Sequence, residues 1–250
     1  MGRFEGKVAL ITGAASGMGR AICRRLADEG AAVMGLDIDA GGLDETVALV
    51  TDAGGTMRGR RTDISLVAEC DAAVAECVDA HGRLDILGNV AGLSWARRMQ
   101  DETEEGWDAM FGVNVKGMFF LTRAALPHLV AAGGSIVNIA SNAGLMGQAY
   151  CVPYCASKGA VVNMTRAMAM ELIKTPVRVN AIAPGGTRTP MTENFELPDD
   201  VDFDLMRPYM GFREMGTPEQ IAALFAFVAS DEAANIHGSI LSADSGLTCG

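Results

Sequence analysis

Short apolar runs closed by glycine or polar residues alternate along this chain with stretches whose apolar residues recur at helical spacing. Val8 to Ile11 reads as a buried strand, ended by Thr12-Gly13. A helical pattern through Ala21, Ile22 and Leu26 then runs to Gly30. Ala32 to Asp37 predicts a second strand, followed by a helix from Leu43 to Ala53 and a weak strand from Met57 to Thr62. The helix ending at His81 carries Cys70 and Cys77 seven apart, which puts both on one buried face. Leu84 to Val90 predicts the next strand. Thr103 caps a helix to near Val115, and a second helix runs from Lys116 to Ala132. Ser135 to Ala140 is a strand, and the helix after it continues through Met164, Met168 and Leu172. Val177 to Ile182 is strand six. Thr217-Pro218-Glu219-Gln220 has the cap, the N1 proline and the N3 glutamine of a helix start, and Ser239 to Ser242 is a last short strand.

Strands alternating with helices predict an α/β chain with a doubly wound parallel sheet. No repeat and no linker interrupts the pattern, so residues 1–250 read as a single domain. Ligands of such sheets bind at the carboxyl ends of the strands. Gly13, Asp37, Asn89 and Ser141 all fall at such ends and should converge on one crevice.

Composition adds a few limits. About half of the residues are hydrophobic, which supports a sizeable core. The 30 glycines exceed the ordinary share, and many end predicted strands, where backbone can approach a ligand closely. A net charge of −11 argues against a nucleic-acid partner, which needs a basic face. No apolar run has the length of a membrane span; Met118 to Ala132 contains Arg123, Pro127 and His128. MGRFEGKVALITG enters a strand at once without a signal-peptide core, and Gly6 stands where a myristoylation signal needs Ser or Thr. Six cysteines without a CxxC pair and three scattered histidines lack metal-ligand spacing, so no metal is expected. A reduced, cytoplasmic setting follows.

The candidate chemistry begins at the turn Gly13-Ala14-Ala15-Ser16-Gly17-Met18-Gly19, between a strand and a helix. Glycines there let backbone approach a pyrophosphate at a helix N-terminus, although the spacing TGxxxGxG differs from GxGxxG. Asp37, followed by Ile38, ends strand two. Its carboxylate can accept from an adenosine ribose and repels a 2′-phosphate, which favours NAD over NADP. Alternatively Asp37 caps the next helix, a role open to Asp39 as well. Asp63, before Ile64, suits the adenine edge; equally, Asp63 or Ser65 caps a helix. Asn89, Ala91 and Gly92 form a turn with room for a cofactor. Asn114 has poor helix propensity in a helical stretch, and so is exposed or recruited. Ser141 follows strand five, and Tyr154 and Lys158 are four apart on one helix face, about 6 Å along the axis. An ammonium beside a phenol favours the phenolate and makes an acid/base near neutral pH. Strand six ends in Pro184-Gly185-Gly186-Thr187-Arg188-Thr189. Residues 191–215 have no clean period, mix aromatics with acids, and read as a substrate lid with helical pieces.

Taken in order and at their spacing, Thr12-Gly13-x-x-x-Gly17-x-Gly19, Asp63, Asn89-x-Ala91-Gly92, Asn114, Ser141, Tyr154-x-x-x-Lys158 and Pro184-Gly185 resemble the classical short-chain dehydrogenase/reductase family, over essentially the whole chain. The resemblance implies a Rossmann-type fold and an NAD-dependent oxidoreductase acting on a secondary alcohol or ketone. It implies Tyr154 as acid/base, Lys158 as its activator and ribose ligand, and Ser141 as the hydrogen-bond partner of the reacting oxygen. Asn114 would hold a water between Lys158 and solvent. Thr189 would meet the nicotinamide end, and Pro184 to Gly186 would orient its ring. A homotetramer built on the helices after strands four and five is also implied, and the small residues from Ala156 are compatible with it. Three positions depart from the family pattern: Val90 for a second asparagine, Asp244-Ser245-Gly246 for aspartate-glycine-glycine, and His237-Gly238 for threonine-glycine. The apolar lid and the few charges between Leu145 and Val152 favour an apolar substrate, such as a sterol, a cyclic diol or a hydroxyacyl compound. The alternative is a non-catalytic dinucleotide sensor or scaffold on the same fold.

Overall fold

The computed structural model describes residues 2–249. Seven strands form one parallel sheet in the order β3-β2-β1-β4-β5-β6-β7. They are β1 (Val8–Thr12), β2 (Ala32–Asp37), β3 (Thr56–Arg61), β4 (Ile86–Asn89), β5 (Ser135–Ile139), β6 (Arg178–Pro184) and β7 (Ile240–Ala243). The strand order reverses between β1 and β4, which opens a crevice at their carboxyl ends. Parallel strands are buried on both faces, so β1, β4 and β5 are apolar runs without alternation.

One face is covered by α1 (Gly17–Asp28), α2 (Ala40–Asp52) and α9 (Pro218–Ala229), through Ile22, Leu26, Leu43, Phe225 and Val228. The other carries α3 (Val67–His81), α5 (Met118–Ala132) and α6 (Val152–Glu171), through Cys70, Val74, Leu121, Leu129 and Ala169. Cys70 and Cys77 do share a fully buried face. Thr217 and Gln220 form the expected capping box at the start of α9.

One feature differs from the sequence expectation. The helix from Thr103 does not simply end near Val115. α4 (Glu104–Phe111) runs into a wide π-helical turn, Gly112–Gly117, and directly into α5. The extra residue in that turn rotates Asn114 inward. Gly117 permits it, because a Cβ there would lie 2.6 Å from the Ile64 carbonyl oxygen. Residues 191–215 carry the helical pieces read from the sequence, the end of α7 (Pro190–Glu193) and α8 (Phe203–Met206). Thr187 bridges Gly216, so the excursion leaves the sheet edge and returns to the same point.

The departures near the C-terminus have local accounts. His237 accepts from Val179 N–H through Nδ1 (3.2 Å) and donates through Nε2 to the Ala169 carbonyl (2.7 Å), tying β6 to α6. Ser245 adopts φ 59°, the left-handed region where a glycine would be unstrained.

Candidate active site

The glycine turn is built on steric necessity. Gly13 and Gly17 have φ of 68° and 49°. A Cβ on Gly19 would lie 1.9 Å from the Gly13 carbonyl oxygen, so only glycine lets α1 begin directly under the turn. Asp37 braces this turn: Oδ2 accepts from Ala15 N–H (2.9 Å), and Oδ1 accepts from Asp39 N–H (3.0 Å). Asp39, not Asp37, caps α2, accepting from Gly42 N–H. Arg20, which the sequence reading passed over, clamps the turn to α2. It donates to the carbonyls of Ala15 and Gly42 and to Thr46, and pairs with Glu45 at 2.9 Å. Its place directly after the last glycine was the available signal.

Gly13, Ser16, Gly17, Met18, Gly19, Asp37, Ile38, Asp63, Ile64, Ala91 and Gly92 line one cleft of about 460 Å³, with Thr189 at its far end. Asp63 also turns the chain toward α3, accepting from the Ser65 N–H and hydroxyl. Asn89 is not at the cleft. It is buried beneath it, donating to Thr122 Oγ1 (3.0 Å) and Asn138 Oδ1 (2.8 Å), because a residue inside a parallel strand points into a helix-covered layer. Thr12 does the joining at the cleft floor, where its Oγ1 accepts from both Val90 and Ala91 N–H at 2.9 Å.

A smaller pocket of about 80 Å³ adjoins the cleft across Met18, Gly92, Leu93 and Thr189. Ser141, Tyr154, Lys158, Pro184, Gly185 and Thr187 line it. Gly186 does not; it is exposed and faces Met215, one residue beyond the turn that β6 aims at the pocket. Ser141 starts a short turn, Asn142–Gly144, packed against α6 so closely that a Cβ on Gly144 would lie 2.6 Å from the Lys158 carbonyl oxygen. Lys158 is 4% exposed and donates from Nζ to the Ile139 carbonyl at 2.8 Å. Asn114 holds the loop after β4: Oδ1 accepts from Leu93 N–H (2.7 Å), and Nδ2 donates to Leu93 O and Ser157 Oγ (both 3.0 Å). It makes no direct bond to Lys158. Both flank Gly92, whose Cβ would lie 3.3 Å from Asn114 Oδ1 and 3.4 Å from Lys158 Nζ.

A profile of the short chain dehydrogenase family matches residues 7–199. The chain belongs to that family. A 2,5-dichloro-2,5-cyclohexadiene-1,4-diol dehydrogenase of Sphingobium indicum is 41% identical over 249 residues, 99% of this chain and 98% of its own. A solved short chain dehydrogenase from Mycobacterium paratuberculosis bound to NAD is similar with a TM-score of 0.93 at 33% identity, over 100% of both chains. Another, from Burkholderia cenocepacia J2315 in complex with NADP, is similar with a TM-score of 0.88 at 33% identity, over 98% of this chain and 99% of its own.

In this short-chain dehydrogenase the electrostatics of the pocket oppose the expectation drawn from Tyr154 and Lys158. Burial pushes the Tyr154 phenol up to about 12; the Ser141 hydrogen bond works against that, and the nearby Cys151 and Cys155 add to it. Burial also pulls Lys158 down to about 8. Nζ lies 5.8 Å from the centre of the Tyr154 ring and is spent on Ile139, so with protein groups alone desolvation outweighs the lysine. Bringing the phenol from about 12 to about 7 takes ~7 kcal/mol of further stabilisation of its anion.

Tyr150, a second residue the sequence reading missed, ties together the segments around it. It sits at φ 64°. Its carbonyl accepts from Arg97 N–H (2.7 Å), and its hydroxyl accepts from Asp202 N–H (2.9 Å). Arg98 lies over its ring and bonds Asp200. Tyr209 donates to the Ala149 carbonyl at 2.8 Å. Residues 145–150, the loop after β4 and the 191–215 excursion therefore meet on one aromatic side chain.

Proposed function

We propose that this protein is an NAD-dependent oxidoreductase that interconverts a secondary alcohol and a ketone. The observation that carries the reading is the meeting of Ser141, Tyr154 and Lys158 on one wall of a small pocket that adjoins the glycine-turn cleft. The cleft fits a dinucleotide: its turn is a cradle that a Cβ at Gly19 would fill, and α1 presents its N-terminus there. Asp37 supports NAD over NADP, because its carboxylate stands on the cleft wall between Ala15 and Asp39. Arg20, the nearest cation in sequence to the turn, is already paired with Glu45.

NAD bound there would take a hydride from the alcohol carbon. The chain's own residues handle the proton. Tyr154, as phenolate, takes the hydroxyl hydrogen; Ser141 donates a hydrogen bond to the reacting oxygen; Lys158 stabilises the phenolate by its charge. Lys158 and Asn114 both flank Gly92, and a water held by Asn114 would link the lysine to solvent and carry the proton out. Thr189 and the end of β6 would hold the nicotinamide end. The 191–215 excursion acts as the lid, and its apolar residues Met191, Leu205 and Phe212 favour an apolar substrate such as a cyclic diol, a sterol or a hydroxyacyl compound.

Six free thiols support a reducing, cytoplasmic setting. No helix among the described residues is long and apolar enough to cross a membrane. Exposed Trp107 and Phe119 on α4 and α5, with Ala156 on α6, support a homotetramer. The test is NADH absorbance with meso-2,3-butanediol, cyclohexanol and a 3-hydroxysteroid, for wild type and Tyr154→Phe. Turnover lost in the variant supports the reading. Equal rates overturn the acid/base role, and tight NAD binding without turnover of any secondary alcohol favours the sensor.

A further inference from the structure

Ser141 has one hydrogen to give, and two groups compete for it. A hydroxyl donates once and accepts twice. Here Oγ accepts from Ala143 N–H (3.1 Å) and donates to Asn142 Oδ1 (3.1 Å). Asn142 Oδ1 also accepts from Gln148 Nε2 at 3.2 Å, which holds the carboxamide oxygen toward the serine. Ser141 and Asn142 are 7% and 6% exposed, so bulk water does not replace these bonds. Ser141 also stands close enough to Tyr154 for its hydrogen to lower the phenol, so Asn142 and Tyr154 compete for one hydrogen, and a full bond to the phenolate or a reacting oxygen requires Ser141 to leave Asn142. A bond between neutral groups is weaker than one to an anion, so the hydrogen moves when negative charge arises.

We propose that Asn142, oriented by Gln148, is a positioning residue that holds the Ser141 hydrogen away from Tyr154 until negative charge develops at the phenol or at the substrate oxygen. The inference rests on the acid/base role proposed for Tyr154. It makes Asn142 an opponent of Tyr154 ionisation. Removing its oxygen leaves Ser141 free to donate to the phenolate at all times. Replacing it by a carboxylate holds the hydrogen harder and sets a negative charge beside the pocket. The titratable groups facing Tyr154 are Cys151, just before α6, and Cys155 and Lys158 on it. The ends of β5 and β6, the loop after β4 and residues 189–192 bring only uncharged side chains to the pocket. All of these are common to the variants compared.

The experiment is an ultraviolet titration of tyrosinate in the full chain, saturated with NAD, or with NADP if that binds tighter. Subtracting the Tyr154→Phe protein isolates Tyr154 from the other two tyrosines. Asn142→Leu should move the midpoint toward acid by about half to one pH unit, and Asn142→Asp should move it toward alkali. Gln148→Leu, which leaves Asn142 in place but free to turn, should give a smaller acid shift; it carries the test if the Asn142 variants fail to fold. A merely structural role moves the midpoints together or not at all, and either result overturns the proposal. The failures are separable. If Tyr154→Phe retains wild-type turnover, the acid/base reading fails. If that variant is inactive while the Asn142 and Gln148 midpoints stay at the wild-type value, only the positioning role fails.

Discussion

Gly144→Ala places the smallest possible lever between the serine and the catalytic helix. The new Cβ would lie 2.6 Å from the Lys158 carbonyl oxygen and 2.7 Å from the Lys158 carbonyl carbon. Ordinary contact begins at 3.4 Å, so the turn and α6 must separate by about 0.8 Å. Both neighbours are backbone, and a helix of 20 residues anchored by Val161, Val162 and Thr165 has little freedom to yield. The glycine is not in the left-handed region, so alanine adds no backbone strain. The separation falls between Ser141 on one side and Tyr154 and Lys158 on the other. A misplacement near 1 Å costs up to ~100-fold in rate, so kcat should fall about 10- to 100-fold. Overpacking should also lower stability by about 1–3 kcal/mol. The glycine turn lies across the crevice on β1 and α1, so NAD affinity should hold. The assay is steady-state kinetics on a turned-over alcohol, with NAD binding by protein fluorescence and a thermal melt as controls. A folded variant with kcat within about twofold of wild type would refute the claim that this contact sets the catalytic geometry.

Three further outcomes are expected. Asp37→Ala should raise kcat/KM for NADP relative to NAD by about tenfold or more, since a fixed negative charge leaves the cleft wall; a wild-type protein that already prefers NADP would contradict the role given to Asp37. Lys158 should make stability depend on pH. Burial holds it at about 8 against 10.5 when unfolded, so between those values the unfolded chain binds more protons and stability rises with pH. Urea unfolding at about pH 7.5 and 9.5 should show a wild-type gain of about 2 kcal/mol over Lys158→Met, a comparison in which the buried thiols cancel. Ser245→Gly should relieve the left-handed backbone at φ 59° and stabilise the protein by about 1 kcal/mol, read as a rise of about 2–4 °C in Tm.

Much of the fold was legible along the chain because the signals are local. β2 spans Ala32–Asp37, the stretch read from the sequence, since an apolar run ending in a polar residue needs no distant partner to be recognised. The capping box at Thr217 was legible for the same reason. The wide turn at Gly112–Gly117 was not. It depends on the approach of Gly117 to Ile64 from another segment, and its local propensities resemble those of an ordinary helix. Asn89 and Gly186 show the same limit in reverse. Both sit in motifs that bring neighbours to the crevice, yet one side chain is turned into the sheet's interior and the other residue lies beyond the pocket's edge.

The sequence by itself determined the alternation of strands and helices, the glycine turn, and which side chains are candidates for acid/base chemistry. Those follow from residue type and spacing, which act over a few residues. Only the tertiary structure decided the balance of charge at Tyr154. The lysine one turn away is engaged by Ile139, burial raises the phenol, and Asn142 competes with the phenol for the Ser141 hydrogen. Desolvation and the partition of one hydrogen between two acceptors depend on what is packed around the group, and that packing comes from β5, β6 and α6 meeting at the crevice.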